Sequence, residues 1–298
     1  MSGEIGRLKE ERNAVILAHA YQPPEIQEIA DYVGDSLGLS RQAACSDAEV
    51  IVFCGVHFMA ESAYILSPSK TVLLPDENAG CPMADMITAP ALRRKKQELP
   101  GAIVVCYVNT SAEVKAESDI ACTSANAVQV VASLPEGRPV LFVPDRNLGK
   151  YVVSQTGREM ICWEGFCGTH NRLTEEDILK AKSRHPRAQV LVHPECRPEV
   201  TALADTVAST TGMIRFAANS KARQFIIATE RGILHQLRKQ CPDKEFYLAS
   251  EELICPNMKL TTLEKVRDSL VSLEPGVTVP EEIRERAERC LEKMLEVT

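Results

Sequence analysis

The chain has 298 residues, of which 45% are hydrophobic and 25% are charged, and its formal net charge is −7. This composition is typical of a globular protein, and the length allows two or three domains. The acidic balance and the lack of any lysine and arginine block predict no binding to nucleic acid. The first residues, MSGEIGRLKEERN, are typical of a charged amphipathic helix and not of a signal peptide, and the apolar runs are too short to span a bilayer. We therefore expect a cytoplasmic protein with no membrane partner.

Three short apolar runs end in polar residues that are separated by one position. They are VILAHAY (His19, Tyr21), IVVCYVN (Tyr107, Asn109) and VLVHPE (His193, Glu195). The numbering puts 88 residues between His19 and Tyr107, and 86 between Tyr107 and His193. Apolar runs of this length that are bounded by turn signals predict the buried strands of a parallel sheet. Because side chains alternate along a strand, each polar pair lies on one side of its carboxyl end.

The same spacing recurs in the hydroxyl-rich motifs that follow these strands. The motifs are GDSLGLS (Ser36), CTSANAV (Ser124) and ASTTGM (Ser209, Thr210). Each predicts a hydroxyl at the N-terminus of a helix, where free backbone N–H groups favour an anion. Further strands are predicted in EVIVFCG (49–55), PVLFVPD (139–145), QFIIATE (224–230), TVLLPD (71–76), EMICWEG (159–165) and EFYLAS (245–250).

One cysteine follows the last strand of each of the three repeats. Cys81, Cys167 and Cys255 are 86 and 88 residues apart. The repeated order predicts an α/β fold of three pseudo-symmetric units, each an αβα sandwich with a parallel sheet, around a pseudo-threefold axis. The predicted units are 1–84, 85–171 and 172–258, and residues 259–298 form a helical tail that packs back on them. In that tail, Cys290 belongs to an apolar helix stripe and is expected in the core.

The ends of parallel strands are where α/β proteins bind ligands, so the three cysteines are expected to converge with the polar pairs. Eleven cysteines without a CxxC pair do not suggest a disulfide framework or a zinc ribbon. Three alternatives remain open from the residues alone. The first is a zinc ion bound by the three thiolates and by water or a histidine, for which His170 is the candidate. The second is an iron–sulfur cluster with one open iron, and the third is three thiols packed in the core.

Longer motifs run through the chain in a fixed order. They are LAHAYQ (17–22), GDSLGLS (34–40), GVHFMAES (55–62), PDENAGCPMAD (75–85), YVNTSAEVKAESDIACTSANA (107–127), PDRNLGKYV (144–152), WEGFCGTH (163–170), HPEC (193–196), DTVASTTGM (205–213) and CPNMKLTTLE (255–264). Together they resemble the quinolinate synthase A family over nearly the whole chain. The chain departs from the family's frequent pattern at Ala20 and Ala121, and Cys255 lacks the additional nearby cysteines of some members.

The resemblance implies a transferase of de novo NAD biosynthesis. Such an enzyme condenses iminoaspartate with dihydroxyacetone phosphate to give quinolinate, phosphate and two waters. It also implies one [4Fe–4S] cluster per chain, held by Cys81, Cys167 and Cys255, whose open iron acts as a Lewis acid on a substrate oxygen. An enzyme that oxidises or dehydrogenates L-aspartate is then an expected partner, because it supplies iminoaspartate.

Roles for the polar residues follow from this chemistry. Glu195 is expected to be the general base, because enamine formation and two dehydrations require proton transfer. His19, His193 and Tyr21 are expected to transfer protons or to bind the carbonyl oxygen. The residues expected to bind substrate are His19, Ser36, Tyr107, Asn109, Ser124, His193, Glu195, Ser209 and Thr210. Two other classes remain as alternatives: a cluster-based sensor without turnover, and a binding protein without metal.

Overall fold

Three four-stranded parallel sheets form the centre of the protein in a computed structural model, which describes residues 1–297. The strands are β1 (Ala14–His19), β2 (Tyr32–Gly34), β3 (Val50–Cys54), β4 (Thr71–Leu73), β5 (Ile103–Tyr107), β6 (Ile120–Cys122), β7 (Val140–Val143), β8 (Ile161–Cys162), β9 (Gln189–Val192), β10 (Thr206–Val207), β11 (Gln224–Ala228) and β12 (Glu245–Leu248). The sheet orders are β2-β1-β3-β4, β6-β5-β7-β8 and β10-β9-β11-β12. One order repeated three times confirms the predicted fold of three α/β units.

Helices connect the strands and cover the sheets. They are α1 (Ser2–Glu11), α2 (Pro24–Ile29), α3 (Ser36–Cys45), α4 (His57–Leu66), α5 (Ala89–Glu98), α6 (Ala112–Ala116), α7 (Ala127–Ser133), α8 (Arg146–Thr156), α9 (Gly168–Asn171), α10 (Glu175–Arg184), α11 (Pro198–Thr201), α12 (Thr210–Asn219), α13 (Ile233–Gln240), α14 (Leu263–Ser272) and α15 (Glu281–Glu296). Two short 3-10 turns, Ala84–Met86 and Pro256–Lys259, complete the set. Among residues 1–297, no helix has both the length and the apolar character that crossing a membrane requires.

The tail packs on the first two units through its two helices. Cys290, Leu291 and Met294 of α15 are buried in the main core, as predicted for Cys290. The side chain of Asn126 also donates to the carbonyl of Met294 at 3.2 Å, which ties the tail to the second unit. The exact limits of the units, with breaks after residues 84, 171 and 258, stay predictions, and Thr298 lies outside the described residues.

Each sheet contains one edge strand that the sequence did not predict. These strands, β2, β6 and β10, have only two or three residues each. An aspartate precedes each of them. It accepts a hydrogen bond from the N–H of a residue in the neighbouring inner strand, which is β1, β5 or β9. The pairs are Asp31 with Ile16 (2.8 Å), Asp119 with Val104 (2.8 Å) and Asp205 with Val190 (2.7 Å). The three aspartates keep the spacings of 88 and 86 residues, so the signal was present in the sequence.

A basic side chain closes one helix in each unit. The donors to the carbonyl of the residue just after each helix are Lys70 to Ser46 after α3, Arg158 to Leu134 after α7, and Lys244 to Ser220 after α12. The carboxyl end of a helix carries partial negative charge and free carbonyls, and a cation satisfies both. The three units therefore share these stabilising side-chain contacts as well as the order of their strands.

We expect Asp119→Ala to destabilise the protein, because the substitution removes the acceptor of the buried Val104 N–H and leaves that donor unpaired. The free energy of unfolding should fall by about 1–3 kcal/mol. Urea unfolding of both proteins measures this difference. Asp47→Ala, at an exposed position, serves as the control and should stay within about 0.5 kcal/mol of the parent. Equal losses of unfolding free energy in Asp119→Ala and Asp47→Ala would contradict this stabilising role of Asp119.

Candidate functional site

A cavity of about 210 Å³ is lined by residues from all three units. It contains every predicted site residue except Ser209, namely His19, Tyr21, Ser36, Cys81, Tyr107, Asn109, Ser124, Cys167, His193, Glu195, Thr210 and Cys255. The spacing of the repeats thus predicted which residues come together. Arg172 is the one lysine or arginine that lines this cavity within residues 1–297.

The hydroxyl residues occupy three different positions around helix starts. Ser36 and Thr210 are the first residues of α3 and α12, as predicted. Ser124 lies in the turn before α7. Asn126 closes that turn by accepting the N–H of Thr123 at 2.8 Å. Ser209 caps α12 by accepting the N–H of Gly212, and its hydroxyl donates to Asp35 at 3.1 Å. Its hydrogen bonds therefore serve the helix and Asp35, and only Thr210 of this pair lines the cavity.

The three cysteine loops are held in the same way. In each unit, the third residue after one inner strand (β3, β7 or β11) donates its N–H to the carbonyl of the residue two positions before the cysteine. The pairs are His57 to Ala79 (2.8 Å), Arg146 to Gly165 (2.9 Å) and Arg231 to Leu253 (2.9 Å). We call this arrangement the loop clamp. It places Cys81, Cys167 and Cys255 at corresponding points around the cavity.

These three loops form the solvent side of the cavity. The residue after each cysteine, Pro82, Gly168 or Pro256, lines the cavity and is exposed to solvent. The histidines, tyrosines and Glu195 that line the same cavity are buried. A group bound by the three sulfur atoms would consequently face the buried polar residues on its inner side.

The donor set fits a metal centre. The three cysteines are free thiols, and burial raises the pKa of each, that of Cys81 to about 12. Backbone N–H groups, including those of Ala84, His170 and Met258, lie beside the sulfur atoms and favour their charged form. A bound cation would stabilise the three thiolates, which are costly to bury without one. Zinc and iron both accept such sulfur ligands.

His170 is not free to complete a zinc site. Ligand atoms of Cys167, His170 and Glu195 lie within 4.8 Å of one another. Nδ1 of His170 is 3.3 Å from Sγ of Cys167 but only 2.6 Å from Oε2 of Glu195, and Nε2 is 2.8 Å from Oγ1 of Thr229. Both ring nitrogens are therefore engaged with other side chains. This geometry favours a contact role for His170 over metal ligation.

Glu195 is the centre of the buried polar network. The hydroxyl of Tyr107 donates to its Oε1 at 2.6 Å, and His193 lies 3.7 Å from its Oε2. Burial opposes ionisation of Glu195, but the adjacent His170, His193 and Tyr107 hold its pKa below the usual range. Glu195 is thus a carboxylate near neutral pH, with both oxygens oriented by partners.

A second line of contacts connects Tyr21 to the same carboxylate. The hydroxyl of Tyr21 lies 2.6 Å from Oγ1 of Thr229, which in turn contacts His170, the partner of Glu195. Thr210 donates to the hydroxyl of Tyr21 at 3.0 Å. Burial raises the pKa of Tyr21 and Tyr107 well above the usual range, so both phenols stay protonated. Sequence reasoning missed Thr229 as a site residue, although it lies within the predicted strand QFIIATE (224–230) and directly follows β11.

Two further histidines are neutral at physiological pH. Burial lowers the pKa of His19 to about 4 and that of His193 to about 3. Asn109 lines the cavity, and its Oδ1 is buried with no hydrogen-bond partner in the described chain. A buried carbonyl without a partner costs about 1–3 kcal/mol, so a donor on a ligand would stabilise it. His19, His193 and Asn109 thus add neutral hydrogen-bonding groups to the lining around Glu195.

Comparisons with known proteins agree on one family. The family model described as quinolinate synthetase A protein matches residues 3–296. A protein of Desulforudis audaxviator named quinolinate synthase is 62% identical over 292 residues, which cover 98% of this chain and 96% of the relative. Those of Methanosarcina barkeri and Dehalococcoides mccartyi with the same name are each 58% identical. These two alignments cover 98% and 100% of this chain, and 96% and 98% of the relatives.

The lowered pKa of His19 predicts a pH dependence of stability. Below its unfolded value of 6.5, the unfolded chain binds a proton that the folded protein excludes until pH is about 4. The stability associated with neutral His19 is therefore complete above pH 6.5 and is lost as pH falls towards 4, at about 1.4 kcal/mol per unit of pKa difference. In His19→Gln, the free energy of unfolding should fall less steeply over this window. His57→Gln, whose side chain is half exposed, is the control, and an unchanged slope in His19→Gln would contradict the prediction.

Proposed function

This chain belongs to the quinolinate synthetase A family, and we propose that it condenses iminoaspartate with dihydroxyacetone phosphate. The products are quinolinate, phosphate and two waters, in a transferase reaction of de novo NAD biosynthesis. An enzyme that oxidises or dehydrogenates L-aspartate would supply the first substrate. The observation that carries the proposal is one cavity on which three cysteines and a buried polar network centred on Glu195 converge from three units. The cytoplasmic location stays a prediction from the sequence.

Cys81, Cys167 and Cys255 would hold a [4Fe–4S] cluster. With three protein ligands, one iron of such a cluster is open and can act as a Lewis acid on a substrate oxygen. Support comes from the equivalent positions of the three thiols and from His170, whose two nitrogens already have Glu195 and Thr229 as nearer partners than Cys167. A fourth protein ligand would close that position, and the geometry offers none from His170.

The neutral lining would bind the carboxylates and phosphate of the substrates. Ser36 and Thr210 offer hydroxyls beside the free N–H groups of α3 and α12. Ser124 and Asn109 add polar groups from the second unit, and the carbonyl of Asn109 can accept a donor from substrate. Ser209 would act through Asp35 and the first turn of α12.

Glu195 would accept the protons that the condensation and the two dehydrations release. Its carboxylate is ionised and oriented by Tyr107 and His170, so it can receive a proton without prior rearrangement. Tyr21 is a protonated phenol at the far end of the line through Thr229 and His170. This phenol would donate to the carbonyl oxygen of the triose during its ketose–aldose conversion. His19 and His193, which are neutral, would bind substrate oxygens or transfer protons.

The cysteine set predicts a specific loss of iron. Cys167→Ser should abolish or strongly reduce both bound iron and quinolinate formation, because a serine hydroxyl replaces one of three required thiolates. Cys45→Ser, which changes an exposed cysteine outside the cavity, is the matched control and should keep both. Iron is counted per chain after purification without oxygen. A stable, full complement of iron in Cys167→Ser would show that the ligand set is wrong.

Glu195→Gln tests the base separately from the metal. Glutamine keeps the size of the side chain but cannot accept a proton, so kcat should fall by roughly 10²–10⁴. KM should change little, and iron content should match the parent, because the sulfur ligands are untouched. Glu251→Gln, at an exposed position, is the control for both constants. An unchanged kcat at full iron content would move the base to His193 or Tyr21.

A further inference from the structure

An ion pair at the cavity has no role in the function proposed above: Glu230 lines the cavity, and the side chain of its partner Lys259 is 27% exposed. Glu230 follows Thr229 after β11 and is fully buried, and its Oε1 is 2.8 Å from Nζ of Lys259. Lys259 ends the CPNMK segment that begins at Cys255. A buried carboxylate needs such a partner, and hydrogen bonds must also satisfy its remaining lone pairs.

The pair has further contacts at both ends. Oε1 of Glu230 accepts the backbone N–H of Cys255 at 3.3 Å, and Oε2 accepts that of Gly232 at 2.7 Å. Nζ of Lys259 donates to the backbone carbonyl of Tyr21. The two side chains thus form a continuous connection from a cysteine of the third unit to a tyrosine of the first.

Close packing makes this connection stiff. A Cβ atom placed on Gly232 would lie 2.7 Å from the carbonyl carbon and oxygen of Tyr21 and 2.8 Å from Oε2 of Glu230. Such distances are below any van der Waals contact, so the backbone at Gly232 adjoins Tyr21 directly. The carbonyl of Tyr21 is therefore held by the loop that Glu230 orders and by Lys259.

The other two units lack this ion pair, although the carboxylate of Asp145 in the second unit lies beside the backbone N–H of Cys167. The second residue after the strand is Glu230 after β11 in the third unit, Asp145 after β7 in the second and Val56 after β3 in the first. Asp145 caps α8 through the N–H groups of Asn147 and Leu148 and forms no ion pair within residues 1–297. Val56 has no carboxylate. The charged pair therefore occurs at the cysteine loop that is connected to Tyr21.

We propose that Glu230 and Lys259 are positioning residues that fix Cys255 and Tyr21 relative to each other. The inference rests on the proposed function, in which Cys255 binds the metal group and Tyr21 donates a proton. A shift of either one would change the distance between the metal group and the phenol. The pair acts through these two residues and not by touching the reacting atoms.

Lys259→Met tests both ends of the pair together. It leaves Glu230 without its cation and frees the carbonyl of Tyr21, so iron should leave the protein several-fold faster when a ferrous chelator is added. With full iron, kcat should fall roughly 10-fold while KM stays within about 2-fold. Lys70→Met is the matched control, since Lys70 also donates to backbone carbonyls but lies outside the cavity. It should lower Tm without changing iron release or kcat.

Two further variants separate positioning from plain stability. In Glu230→Gln/Lys259→Met no buried charge is left unpaired, so Tm should recover relative to Lys259→Met while kcat does not. Lys259→Arg keeps a cation beside Glu230 but alters the donor to Tyr21. Its iron release should stay near that of the parent, and its kcat should fall several-fold.

The outcome that overturns the proposal is a change in Tm alone, with parental kcat and iron release in Lys259→Met and in the double variant. If the parent itself formed no quinolinate, the proposed function would fail, and the iron-release rates would decide on the pair. Equal rates in the parent and in Lys259→Met would then overturn it, whereas a several-fold faster rate would support it.

Discussion

The site depends on one backbone contact that occurs three times, the loop clamp. In each unit, an N–H group just beyond one inner strand (β3, β7 or β11) holds the carbonyl two residues before a cysteine. A main-chain hydrogen bond of this kind sets the position of a loop independently of most side chains. The clamp explains how Cys81, Cys167 and Cys255 reach one cavity although each lies in a separate sheet unit. The edge-strand aspartates and the basic helix caps stabilise the three α/β units in which the loop clamp occurs.

The electrostatics of the cavity follow from where the units meet. Burial removes charge from His19 and His193 and keeps Tyr21 and Tyr107 protonated, whereas the contacts with His170 and Tyr107 keep Glu195 ionised. The thiols on the solvent side, in contrast, need a cation to become thiolates at low cost. The arrangement separates two tasks. The sulfur rim suits a metal group, and the buried inner side suits proton transfer and hydrogen bonds to anionic oxygens.

Spacing along the chain predicted the three units and the residues that line the cavity, because a repeat places equivalent positions at equivalent points of a sheet. It did not predict the edge strands β2, β6 and β10, which are too short to show an apolar pattern. Contacts between units were also beyond its reach. Thr229 of the third unit joins Tyr21 of the first unit to His170 of the second, and Ser209 of the third unit is directed to Asp35 of the first. A pattern within one unit has no information on such partners.

The central claim is that the three cysteines share one iron–sulfur cluster. The most direct measurement is the count of iron and sulfide per chain in protein purified without oxygen, with the visible absorption near 400 nm recorded on the same sample. The account predicts about four of each per chain and a broad absorption band that disappears in air. A colourless protein with one zinc, or with no metal, would contradict it.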